Sequence, residues 1–201
     1  MLRQPCRHGC GRKELPRLRA VHEASCAERR YPCPAPACAQ HSATALHSHE
    51  QLQLHLQSEH APMVKQGRRH TFSVQLDSVQ DEHWFAAALR EVFHVRVDVA
   101  VRTRVVAVHV AYLGPRCNAS RYTYQVTVEG LTNRQRLVYS RATHSDLESY
   151  FLNLSRKDCF RLSFDQALNF LRNKNRHYDT PPLVQTLNFT VEIIKSDAAP
   201  E

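Results

Sequence analysis

"FHVRVDVAV" (Phe93–Val101) decides the fold. In an extended chain Phe93, Val95, Val97, Val99 and Val101 fall on one side, and His94, Arg96 and Asp98 on the other. Apolar residues at every second position mark a strand with one buried face. The same period recurs outward from it. "VVAVHVAY" aligns Val106, Val108, Val110 and Tyr112, "YTYQVTV" aligns Tyr122, Tyr124, Val126 and Val128, and "LNFTVEI" aligns Leu187, Phe189, Val191 and Ile193. "TFSVQL", "RLVYSR" and "FRLSF" fit shorter strands. One helix is expected, "DQALNFLR", capped by Asp165 and stacking Leu168 and Leu171 on one side. About seven strands and one short helix make a mostly β chain, an antiparallel sandwich.

Upstream the texture changes. Residues 1–62 are rich in Cys, His, Pro and Arg and offer few aromatic or β-branched residues for a core, so a metal staple is expected there. Five of the seven cysteines fall before residue 40. In "CRHGCGRKELPRLRAVHEASC", Cys6 and Cys10 are followed, eleven residues on, by His22 and Cys26. Zinc takes four thiolate or imidazole ligands, commonly as two close pairs joined by a longer arm. Gly9 and Gly11 ease the knuckle, and "PRLRAVHEASC" reads as a helix from Pro16 that sets His22 and Cys26 on one face. A second set follows: Cys33 and Cys38, sixteen residues, then His55 and His60 in the helical "HEQLQLHLQSEH". His41, His47 and His49 are rival ligands for that second set. With four protein ligands each, both sites read as structural zinc rather than catalytic.

Composition narrows the function. Of the formal charge of +8, residues 1–70 carry +6 (eleven Lys/Arg, five Asp/Glu) and residues 71–201 carry +2 (sixteen against fourteen). A basic front end admits nucleic acid or an acidic protein as partner. The finger spacings and the Glu50, Gln51, Gln53 and Gln57 face of the second helix do not suit base reading, so nucleic acid is secondary. No apolar run reaches the ~20 residues of a membrane span, and the start lacks an apolar signal core. The expected location is therefore a reducing compartment, the cytoplasm, with the nucleus also open to it, and clustered cysteines there bind metal rather than pair. No phosphate loop or catalytic carboxylate pair is present, and Cys117, Cys159 and the His144–Ser145 neighbours read as bland.

The tandem Cys/Cys/His/Cys and Cys/Cys/His/His sets, running into a β-sandwich, resemble the seven-in-absentia (Siah/Sina) family of ubiquitin ligases. "HLQSEH", "KQG", "HWFAAAL", "RYTYQVTVEG" with "RQRLVY", and "DCFRLSF" are each similar to a family segment and fall in the same order. The resemblance covers roughly residues 5–195. It implies paired Siah-type fingers over 1–62, a TRAF-like substrate-binding sandwich over 63–196 and a disordered tail over 197–201. It also implies dimers, either of this chain or with relatives. Family targets, marked for ubiquitination and proteasomal degradation, bind as an added β-strand after the fingers, close to a tryptophan. Here that places Met63, Val64 and Lys65 at the edge and His83, Trp84 and Ala86 at the pocket, although Trp84 also suits ordinary core packing. One departure is large. The family's RING, which recruits the ubiquitin-conjugating enzyme, has no counterpart, because only Cys117 and Cys159 remain once the two sites are filled. The chain is then expected to recognise targets without being active alone, engaging the conjugating enzyme only where a RING is supplied. A RING-less adaptor that competes with Siah-like ligases, or a zinc-finger nucleic-acid binder, are the other readings.

Overall fold

A computed structural model of the chain describes residues 2–39, 46–130, 135–171 and 186–196. The first finger pairs β1 (Gln4–Pro5) with β2 (Lys13–Glu14) and closes with α1 (Pro16–Ala24), whose proline sits in the first turn. The second has β3 (Tyr31–Pro32), a short α2 (Pro36–Ala39), β4 (Leu46–His47) paired with β3, and α3 (His49–Glu59). Ser48 caps α3: its side chain accepts from the Gln51 N–H while Gln51 accepts from the Ser48 N–H, satisfying two orphan donors. A single 3₁₀ turn, Ala61–Met63, leads into the sandwich.

The sandwich strands are β5 (Val64–Gln66), β6 (Arg69–Gln75), β7 (Gln80–Ala88), β8 (Glu91–Ala100), β9 (Val105–Tyr112), β10 (Tyr122–Glu129), β11 (Arg136–Ala142) and β12 (His144–Ser145). After them come α4 (Tyr150–Ser155), β13 (Phe160–Ser163), α5 (Phe164–Leu171) and β14 (Thr186–Lys195). One sheet runs β12-β9-β8-β7-β5 with β13 also beside β9; the other runs β11-β10-β14-β6, and neither closes into a barrel. Pairing is antiparallel except for two short contacts, β5 with β7 and β12 with β9. The alternating residues of β8, β9, β10 and β14 meet between the sheets, with Phe93, Val95, Val97, Tyr124, Val126 and Phe189 fully enclosed.

Four details differ from expectation. β7 is a nine-residue strand that its sequence hides, because Phe85 and Ala86 are both buried and alternation fails. α4 is a second sandwich helix, only six residues long and with three exposed apolar residues on or beside it. α5 is capped by Ser163 rather than Asp165: the Gln166 N–H donates to Ser163 Oγ, and Asp165 turns to Arg104 at 2.9 Å. α1 stops at Ala24, so Cys26 lies past the helix end rather than on its face. The expected tail, residues 197–201, lies outside the described residues.

The outer face of the larger sheet carries histidines. His83 stacks on His94 with centroids 5.0 Å apart, His94 on Phe85 at 5.2 Å, and His109 on His144 at 4.3 Å. Burial pushes His94 down to about 3, with His83 and Arg96 opposing its charge further. His109 is likewise pushed down to about 3, by burial first and then by His144. A histidine neutral in the fold but protonated when unfolded contributes stability above its unfolded value, near 6.5, and loses it as pH falls toward the folded value. Replacing His94 by phenylalanine is therefore expected to flatten the acid loss between about pH 6.5 and pH 5 by about 1.4 kcal/mol per pH unit. Urea unfolding followed by the single tryptophan checks this. Equal slopes in the two proteins would mean that His94 is protonated in the fold.

Candidate metal centres and partner edge

The structure brings Cys6, Cys10, His22 and Cys26 together, and separately Cys33, Cys38, His55 and His60, with the ligand atoms of each group within 4.8 Å of one another. In a tetrahedron with sulfur ~2.3 Å and nitrogen ~2.0 Å from the centre, S···S edges are about 3.8 Å and S···N edges about 3.5 Å. Cys6 Sγ and Cys26 Sγ are 3.8 Å apart, and Cys10 Sγ lies 3.3 Å from His22 Nε2. In the second group Cys38 Sγ is 3.5 Å from His55 Nε2 and 3.1 Å from His60 Nε2. Both groups have the size and donor chemistry of a four-coordinate metal cage.

Local structure sets these cages. The Cys6 N–H donates to the Arg12 carbonyl at 2.9 Å and the Gly9 N–H to the Cys6 carbonyl at 3.2 Å, which folds the first knuckle; Gly9 and Gly11 supply its left-handed residues. The N–H of Arg12 draws the Cys10 thiol down to about 7, whereas burial pushes Cys26 and Cys33 up to about 11. A cation must displace those protons, so loading falls with acid. Of the rival histidines, His41 lies outside the described residues and nothing is described of the His47 side chain. His49 stands apart, its Nε2 3.5 Å from Glu91 Oε2 and its ring 5.9 Å from Tyr31.

The second finger shares a core with the sandwich. Tyr31, Cys33, Ala35, Leu52 and Leu56 pack against Phe85, Val92 and Leu113. Beside them Arg29 is buried: its guanidinium donates to the Gly114 carbonyl at 3.2 Å and forks onto both oxygens of Asp146, 3.0 Å to Oδ1. It also lies 4.5 Å from the Tyr31 ring centroid. Burial still holds the Asp146 carboxyl above its usual range, although Arg29 pulls it down. This arginine is therefore not available to a phosphate.

The edge residues divide by face. β5 pairs with β7 through Val64 opposite Phe85, Lys65 opposite Ala86 and Gln66 opposite Ala87, and among the described residues no strand pairs with its other side. Met63 and Val64 pack onto the second finger's core. Lys65 points the other way, its Nζ 4.2 Å from the Trp84 centroid and 5.4 Å from that of Phe72. Trp84 is half-buried at the margin of the inter-sheet core, donating from Nε1 to Glu82 at 3.0 Å. Two of the expected pocket residues do not join it. His83 faces the opposite side, toward Asp81 and His94, as strand alternation requires. Ala86 shares the tryptophan's face but is 2% exposed, shut between the sheets.

Residues 83–180 match the family model described as Sina, TRAF-like domain. The chain is Siah/Sina-like. No curated protein matches it closely. In this Siah/Sina-like chain the matched stretch begins within β7, so β5 and both Cys/His clusters precede it. A TRAF-like domain is a protein-binding fold. Among the described residues no helix is long and apolar enough to cross a membrane.

Sequence reasoning missed Arg29 and Asp146, 117 residues apart, because no local signal marks a pair that only the packed fold brings together.

Proposed function

We propose that this chain is the target-recognition part of a Siah-like ubiquitin-ligase system. Two structural Zn²⁺ ions, one in each Cys/His cage, hold the fingers, and the sandwich takes an extended segment of a target protein destined for ubiquitination and proteasomal degradation. The observation that carries this reading is the side of β5 that no described strand pairs, beside the lysine-lidded Trp84. Main-chain groups of Met63, Val64 and Lys65 would pair with the incoming strand, and displacement of the Lys65 lid would offer it an aromatic pocket. Residues 1–62 would then serve as the finger unit and residues 63–196 as the binding unit, working as homodimers or as heterodimers with relatives. Ubiquitin transfer is a proximity effect that a RING supplies by holding the conjugating enzyme near the target. Without one this chain would act as an adaptor or competitor. Buried Arg29 and the glutamine-rich face of α3 weigh against the nucleic-acid reading.

Affinity capture from cells, followed by titration of the captured segments as synthetic peptides, tests the reading. Trp84→Ala is expected to weaken those peptides by about thirtyfold, the size of a hot-spot loss. Because Trp84 also touches the core, Lys65→Glu is titrated beside it; it keeps the ring and alters only the lid. Peptides that bind both variants as they bind the wild type would sink the proposal.

A further inference from the structure

The first finger wears its helix inside out. On α1 the buried residues are Ala24 and a carboxylate: Glu23 is 7% exposed, accepts from the Arg7 N–H at 2.9 Å and pairs with Arg19 at 2.7 Å. The two large apolar residues point outward, Leu18 at 47% exposure and Val21 at 69%, three positions apart and so on one face. An amphipathic helix ordinarily buries that face. Between α1 and β2 lies a shallow cleft of ≈ 340 Å³, lined by Arg12, Glu14, Leu18, Val21, His22 and Ser25.

The finger that carries this apolar floor is rich in cations. Residues 2–30 hold eight Lys/Arg against three Asp/Glu, a balance of +5. Arg7 and Arg19 are taken by Glu23, Arg29 by Asp146, and Arg12 pairs with Glu14. Arg3, Lys13 and Arg17 are exposed and make no ion pair with the described residues. A Zn²⁺ bound by three thiolates and one imidazole changes the balance only by −1. A net positive charge on the finger that exposes this leucine and valine, with the lining Glu14 already paired to Arg12, calls for a ligand that is acidic and apolar at once.

We propose that the outer face of the first finger is a docking surface for an acidic peptide segment carrying large aliphatic side chains. α1 is about 13 Å long, enough to line about four extended residues. Aliphatic side chains of the segment cover Leu18 and Val21, and its carboxylates meet Arg3, Lys13 and Arg17. Nucleic acid fits less well, since a phosphate backbone gains nothing from the two apolar residues at the centre. The surface is independent of β5, and so is its test.

The probe is a short fluorescein-labelled peptide of alternating glutamate and leucine, titrated by anisotropy against the zinc-loaded full chain. Saturable binding is expected. It should weaken at least about tenfold in the Leu18→Ser/Val21→Ser double variant and in Arg17→Glu, and stay unchanged in Lys65→Glu. A glutamine–leucine peptide and a glutamate–serine peptide should each bind at least about tenfold more weakly. If the double variant loses metal, Arg17→Glu alone decides. Absence of saturable binding, indifference to Arg17→Glu, loss with Lys65→Glu, or tighter binding of a single-stranded oligonucleotide to the same face would overturn the proposal.

Discussion

A chain with Cys38 replaced by serine is expected to lose one equivalent of metal and, with it, part of the sandwich's stability. Structural zinc contributes about 10–16 kcal/mol to folding a small finger, as large as the whole stability of an ordinary domain, about 5–15 kcal/mol. The second finger therefore unfolds. Its Tyr31, Cys33, Leu52 and Leu56 leave Phe85, Val92 and Leu113 uncovered, so the sandwich loses part of its own apolar cover. The variant should bind a hydrophobic dye, aggregate and unfold at lower temperature. Cys10→Ser removes the other metal but should melt only the first finger, leaving the tryptophan-detected transition in place. Metal content, dye binding and thermal unfolding of the two variants decide the matter. Equal damage to the sandwich from both would refute the asymmetry.

The second large effect is expected at the clamp between fingers and sandwich. Arg29 and Asp146 are both largely enclosed, and removing one leaves the other charge, or the Gly114 carbonyl, buried without its partner. Arg29→Met and Asp146→Leu are each expected to cost about 3–5 kcal/mol. The double variant should recover most of that loss, because two buried charges give back in desolvation much of what their attraction supplies. The raised Asp146 carboxyl agrees with this, since burial outweighs the arginine beside it. Denaturant midpoints for the four chains form a double-mutant cycle. Single losses under about 1 kcal/mol would place the pair in solvent rather than in the interface.

The long strands were legible because each buries one face. In β8, β10 and β14 inward residues alternate with residues at solvent or under polar cover, so period two survives in the text. The cages were legible for a different reason: metal ligands are few in kind and sit at fixed spacings, so Cys6, Cys10, His22 and Cys26 declare themselves without any packing. β7 was not legible. Its end lies between the sandwich core on one side and the second finger on the other, and a strand covered on both faces writes no alternation. The residues read as a partner pocket do not all come together. Trp84 and Lys65 meet as a close pair, but His83 and Ala86 were grouped with the tryptophan by nearness in sequence. In a strand, nearness sends neighbours to opposite faces or deeper into the core. Leu18 and Val21 gave no signal beyond being apolar, because only the buried Glu23 reveals that their helix is turned outward.

The second cage ends at His60, which also closes α3, and the 3₁₀ turn Ala61–Met63 carries the chain from there straight into β5. The β5 edge, unpaired among the described residues, thus hangs from a histidine of the second Cys/His cage by three residues of fixed conformation. An isolated three-residue strand would spend about 1–2 kcal/mol per residue on becoming straight. A metal held by Cys33, Cys38, His55 and His60 would remove that freedom beforehand, since Cys33 is part of the neighbouring core. On the proposed reading, a target segment arriving at β5 would meet a rail held taut from one end, and its affinity would depend on an ion that it never touches.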